Sequence, residues 1–222
     1  MKKIDTHVHT SEVSRCGKLS ASEVVEAYKR ANYDAIVITD HFILSEVAGL
    51  KPYEIVERQL KGYLAAREAA GSKIAVYAGA EIRFTGGDED FLILGLDEQK
   101  YFELARALPT NPRACRDLCE GMECLMYQAH PFRPGLTPAS PDALSGIEVY
   151  NGNPRHDSHN DSARLFAERH RLRMLSGSDA HQLQDVGRGG IFAPDWVRSS
   201  STLAKFLRET SRPHMIIDGA EL

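Results

Sequence analysis

Short apolar runs in this chain end repeatedly in residues of the kind that bind metals. Residues 3–10 carry His7-Val8-His9, 34–39 lead into Asp40-His41, and 73–81 end in Ala80-Glu81. Residues 122–129 lead into His130-Pro131, and 173–178 lead into Asp179-Ala180-His181. Buried strands hold carboxylates and imidazoles only where these are paired or bound to a cation. One architecture gathers the ends of many consecutive strands at a common point: an α/β barrel, whose site residues project from one face.

The intervals between the strands read as helices. Over 20–31, Ser20 and Glu23 form a capping-box pattern, and Val24, Ala27, Tyr28 and Ala31 fall at helical spacing. The run 34–39 is continuously apolar, as in a parallel strand covered on both faces. Pro52 opens, and Gly71 closes, one long helix over 52–70. Further strands are expected over 91–96, 146–151, 191–193 and 215–218, and further helices over 99–107, 112–121, 162–170 and 201–210. Seven or eight such units in 222 residues fall short of the ~250 residues of an eight-unit barrel. The expectation is a distorted TIM-like (β/α)7 barrel, one domain over 1–222. A doubly wound open sheet shares the same alternation.

Composition narrows the function. A net charge of −4 supplies no basic footprint, which argues against a stable nucleic-acid complex. Cys16, Cys115, Cys119 and Cys124 form no C-x-x-C pair, so free thiols in a reducing, cytoplasmic setting are expected. The apolar runs are far below the ~20 residues of a membrane span. Met1-Lys2-Lys3 is followed by Ile4-Asp5-Thr6-His7, which is no signal-peptide core.

His7 and His9 lie two apart on a strand, so their rings share a face. Asp5 lies on that face too, as an outer partner for His7. Asp179 and His181 repeat the spacing, and Glu81 has two oxygens to share between ions. His41 and His130 complete a nitrogen-and-oxygen donor set suited to divalent metals.

In order along the chain these motifs are H-x-H, T-D-H, a mid-chain Glu, A-H-P and S-D-A-H. That succession resembles the PHP (polymerase and histidinol phosphatase) family over residues 3 to about 193. Residues 10–17 and 148–152 look like its stand-alone bacterial phosphoesterases. The resemblance implies a distorted seven-stranded barrel with two or three Zn, Mn or Fe ions that hydrolyses phosphoesters. It implies that His7, His9, Glu81 and Asp179 hold one ion, Glu81 and His130 a second, and His41 and His181 a third. Two departures stand out. Where relatives place an Asp or His for the third ion, this chain has Ser14 and Arg15, with Cys16 next as either a thiolate ligand or an ordinary free thiol. Where many relatives carry a His, it has Phe91-Leu92-Ile93-Leu94, leaving Asn151, His156 or His159 to fill the gap.

Two ions ~3.5–4 Å apart would activate a bridging water and clamp phosphate oxygens. Guanidinium groups suit the remaining oxygens, and Arg83, Arg133, Arg155 and Arg188 are the candidates, with Arg133 and Arg188 preferred. His156 or His159 would protonate the leaving oxygen. The candidate catalytic residues are therefore His130, His156, His159, Arg133 and Arg188. The substrate class is a small phosphorylated metabolite or nucleotide, as monoester or diester. Two other readings remain: an amidohydrolase-like enzyme, and a non-catalytic metal-holding module.

Overall fold

The computed structural model describes residues 1–221. Its strands join one sheet. Seven strands form the barrel wall: β1 (Lys2–Val8), β2 (Ala35–Ile38), β4 (Ala75–Arg83), β5 (Asp90–Leu96), β6 (Leu125–Gln128), β7 (Gly146–Asn151) and β8 (Arg173–Gly177), hydrogen-bonded in that order. The short β3 (His41–Ile43) extends the wall by pairing with the end of β4, His41 opposite Glu81.

Closure occurs only at one end. Val8 bridges Ala180 just after β8, the His9 N–H donates to the Ala180 carbonyl (3.0 Å), and the Ala180 N–H donates to the His7 carbonyl (3.2 Å). The start of β1 uses the same edge differently: Lys2, Lys3 and Ile4 pair antiparallel with β9 (Gly189–Ala193). From there β10 (His214–Ile217) and β11 (Ala220–Glu221) continue the sheet. The ring is thus shut around the His7–His9 segment and splayed at the other end.

Helices fall in the expected intervals. Helix α1 (Ala21–Arg30) begins at the Ser20–Glu23 capping box. Helix α8 (Ser200–Glu209) plugs the splayed end, where Leu203, Phe206 and Leu207 meet Ile4, Val37, Leu92, Leu94, Leu125, Tyr127 and Leu175 from the wall. The interior is a packed apolar core rather than a channel, as small barrels require.

Three expectations are corrected. The wall is not all parallel: β5 runs antiparallel to both β4 and β6, because the few residues from Phe84 to Glu89 permit a hairpin but no crossover, which needs a dozen or more. The helix expected over 52–70 is two, α3 (Pro52–Gln59) and α4 (Lys61–Ala70), meeting at Leu60. The two have different partners, α3 packing on α5 (Glu98–Ala107) and α4 on α1. The strand expected from residue 122 begins at Leu125, because Glu123 takes a left-handed backbone (φ 56°) after α6 (Pro112–Gly121). Between β3 and α3, a single helical turn, α2 (Leu44–Val47), was not foreseen.

Candidate metal centre

Seven side chains from five chain segments converge inside the closed end. His7 lies at the end of β1 and His9 just past it, His41 opens β3, and Glu81 stands in β4. His130 follows β6, while Asp179 and His181 follow β8. The two face-sharing histidines and Glu81 are buried completely.

Glu81 is the hub. Its Oε1 lies 3.2 Å from His7 Nε2 and 3.2 Å from His130 Nε2. Its Oε2 lies 3.3 Å from His9 Nε2 and 2.8 Å from His41 Nδ1. Asp179 Oδ1 stands 3.5 Å from both His7 Nε2 and His9 Nε2. These approaches lack hydrogen-bond alignment for His7 Nε2, His9 Nε2, His41 Nδ1 and Glu81 Oε2, which remain buried without a hydrogen-bond partner. Such orphaned atoms are rare in folded proteins. Two donors each ~2.1 Å from a tetrahedral ion stand about 3.4 Å apart, so most of these separations suit a shared cation better than a direct bond.

Four overlapping donor groups emerge: His9 with His41 and His181; His7 with His9 and Asp179; His7 with Glu81 and His130; and His41 with Glu81 and Asp90. Asp90 also reaches this cluster, a residue that sequence reasoning missed. Its strand-start position beside the apolar run 91–94 was the available signal.

The surroundings orient the imidazoles. His7 Nδ1 donates to Glu148 Oε1 at 2.9 Å, which presents Nε2 inward. Glu148 Oε2 also accepts from the His130 backbone N–H and from Asn151 Nδ2, each at 2.9 Å. Sequence reasoning missed this role of Glu148, and it corrects the one expected of Asp5. The Asp5 carboxylate accepts instead from the backbone N–H groups of His7 (3.2 Å) and Ser178 (3.0 Å) and from the Tyr28 hydroxyl (2.7 Å). It fixes the strand rather than the ring. Ser14, in the slot where relatives carry a ligand, gives its proton to Asp40 Oδ1 (2.7 Å) and accepts from the His41 N–H (3.0 Å). It therefore accepts from His9 Nδ1 as well (3.1 Å), which turns His9 Nε2 inward. His130 and Asp179 have left-handed backbones (φ 29° and 51°), the kind of local strain that clusters at functional positions.

Charges follow this geometry. Burial alone would raise the Glu81 carboxyl, but His7 and His41 hold it well below the usual carboxylate range. Asp179 is likewise held low against burial, chiefly by His7. For His7, burial opposes protonation, yet Glu148, Glu81 and Asp179 outweigh it and raise the imidazole. His9 goes the other way, lowered by burial and by the nearby His181 and His41. Two histidines on one strand thus titrate in opposite directions.

Residues 157–210 match the family model described as PHP-associated. No curated protein matches the chain. Among solved structures, it is similar to a two-domain Bacteroides vulgatus protein containing a predicted PHP-like metal-dependent phosphoesterase. That pair shares 22% identity and a TM-score of 0.64, covering 99% of this chain and 66% of that one. The barrel shares the fold of that PHP-like domain. It is also similar to the lesion-specific endonuclease EndoQ of Pyrococcus furiosus, with 16% identity, TM-score 0.65, and 94% and 56% coverage. A third likeness is to an amidohydrolase from Chromobacterium violaceum with bound sulfate, with 18% identity, TM-score 0.55, and 92% and 96% coverage.

Around this cluster the structure sorts the other candidates. Arg133 is the one arginine of the four that donates to an expected metal ligand, its Nη2 donating to Asp179 Oδ2 (2.7 Å) and to Asn151 Oδ1 (3.2 Å). Asn151 links Arg133 to Glu148. Cys16 flanks His41 and His181. Burial raises its thiol, but hydrogen bonds to His181 and His41 outweigh that and lower it to about 6. His156 sits at the mouth near Arg133, Asp179 and His130.

Of the remaining four, Arg83 meets the cluster only through Asp90, and the other three are not brought into it. Arg83 is engaged by Asp90 through two bonds, Nε to Oδ1 (2.8 Å) and Nη2 to Oδ2 (2.6 Å). Arg155 pairs with Asp185 (2.9 Å), whose Oδ2 also accepts from the His181 N–H, so Arg155 braces the loop that carries His181. Arg188 pairs with Asp218 at the surface (2.7 Å). His159 is exposed beside Asp157 (3.3 Å) at the start of α7 (Asn160–His170). Next to His41 and Cys16 opens a cavity of about 320 Å³, walled also by Val13, Ile43, Arg15, Glu46 and Arg83.

No helix among the described residues is long and apolar enough to cross a membrane.

Proposed function

We propose that this chain is a metal-dependent phosphoesterase acting on a small phosphorylated metabolite or nucleotide, as monoester or diester. One observation carries the reading: buried imidazole nitrogens and a carboxylate oxygen, all without hydrogen-bond partners, ring Glu81 at separations suited to shared cations. His7, His9, Glu81 and Asp179 would hold one divalent ion, Glu81, His130 and His7 a second, and His9, His41 and His181 a third. Zinc, manganese and iron all suit this donor set. Such ions supply Lewis acidity and lower the pKa of water toward neutrality.

The chain's own groups do the rest. Glu148 and Ser14 hold the first two imidazoles in the tautomers that face inward. Arg133 keeps Asp179 in place and brings a guanidinium, which matches phosphate oxygens, to the rim. His156, exposed beside it, is positioned to hand a proton to a leaving oxygen. The cavity beside His41 would give the leaving group a berth walled by apolar side chains and by charges of both signs, Arg15, Arg83 and Glu46.

The test is turnover of p-nitrophenyl phosphate and bis-p-nitrophenyl phosphate by purified protein, before and after chelation and readdition of Mn²⁺. Metal-restored hydrolysis of either substrate supports the proposal. The likeness to the Chromobacterium violaceum amidohydrolase favours a second reading, hydrolysis of amides. Cleavage of a hydantoin-type amide without phosphoesterase activity would select it. A metal-loaded protein inert toward all these substrates would instead be a non-catalytic module.

A further inference from the structure

At the barrel's splayed end, opposite the metal centre, Tyr127 of β6, Gly146 of β7 and Arg173 of β8 are register partners. Gly146 lets the Tyr127 ring lie across β7, since a Cβ there would collide with the ring. Two polar atoms result that are buried without a partner: Tyr127 Oη and Arg173 Nε. The Arg173 guanidinium is held by Nη1 on the Ser145 carbonyl (3.4 Å) and Nη2 on the Arg208 carbonyl (3.2 Å). Both acceptors are neutral, so its charge is fixed in place but not compensated.

The guanidinium lines a cavity of about 130 Å³ with Arg116, Arg208, Glu120, Ser145 and Cys124. Arg116 is satisfied by Glu120 (3.2 Å) and Asp117 (3.4 Å). Among the described residues, Arg173 and Arg208 form no ion pair. A guanidinium anchored on neutral carbonyls, a second unpaired arginine and a small cavity form a receptor for an oxyanion, which guanidinium binds through charge-assisted hydrogen bonds.

We propose that this cavity binds one small tetrahedral oxyanion of the phosphate type, at the opposite end of the strands that carry Glu148 and lead to Asp179. The assignment does not depend on the proposed hydrolytic function.

Equilibrium dialysis of radiolabelled inorganic phosphate against the metal-loaded chain at constant ionic strength tests it. The wild type should bind one more phosphate than Arg173→Gln, and Arg208→Gln should weaken that event tenfold or more. Arg208 is exposed on α8, so its variant keeps the test decisive should Arg173→Gln fail to fold. Affinities within twofold of wild type in every folded variant would overturn the proposal. So would loss of all phosphate binding on Asp179→Asn alone, which would place the event at the metal centre.

Discussion

His7 Nδ1 donates to Glu148 Oε1 at 2.9 Å, and this bond decides which nitrogen of His7 faces the cluster. Gly177 makes it possible, since a Cβ there would stand 2.5 Å from His7 Cβ and 2.9 Å from Glu148 Oε1. Outer partners of this type tune metal affinity by ~10–100-fold. Glu148→Gln places an amide NH2 against Asn151 Nδ2 and the His130 N–H, or against His7 Nδ1–H. Its metal affinity, measured by competition with a chromophoric chelator, should fall within that range while the fold persists.

Glu81→Gln removes the shared charge at the hub. The variant should fold, lose metal from at least two donor groups, and lose hydrolysis. Elemental analysis and p-nitrophenyl phosphate turnover check it together. Wild-type turnover with full metal content would refute the assignment of Glu81.

Gly62→Ala offers a test against helix propensity. Gly62 lies inside α4, where Ala normally stabilises by ~1 kcal/mol. Here a Cβ would collide with Asp40 Oδ2 and Thr10 Oγ1, the pair that receives Ser14. The expected sign is reversed, with a loss of roughly 1–3 kcal/mol, the usual cost of overpacking. Urea denaturation measures it.

Ser14→Ala leaves Asp40 one donor short and His9 Nδ1 without an acceptor. The Thr10 N–H still serves Asp40, but a buried donor stranded in the way His9 Nδ1–H would be costs about 1–3 kcal/mol. Stability by urea denaturation should fall by that amount. Metal affinity should weaken more for the His9–His41–His181 group than for the His7–Glu81–His130 group.

Thiol counting separates Cys16 from the other cysteines. Cys16 is exposed, whereas Cys115, Cys119 and Cys124 are buried, and burial pushes Cys124 up to about 12. A disulfide reagent should label one thiol in the native chain and all of them after denaturation. Metal loading should slow the labelling of Cys16, which lies against His41 and His181. Equal rates with and without metal would show that Cys16 stands clear of the ions.

The sequence by itself determined the strand-helix succession, the capped start of α1, and the residue types gathered at the strand ends. These are local matters of periodicity, capping and the rarity of buried charge. His7, His9, His41, Glu81, His130, Asp179 and His181 were legible because each follows or ends an apolar run, and burial leaves such residues few alternatives to a cation. Only the tertiary structure decided which neighbours orient them. Glu148 and Ser14 look like ordinary strand and loop residues until β1, β7 and the loop after β1 come together. It also decided that Arg133 faces the cluster while Arg83, Arg155 and Arg188 turn to Asp90, Asp185 and Asp218. The reason is physical: a guanidinium pairs with whichever carboxylate the fold brings within reach, and that distance is set by residues far apart along the chain.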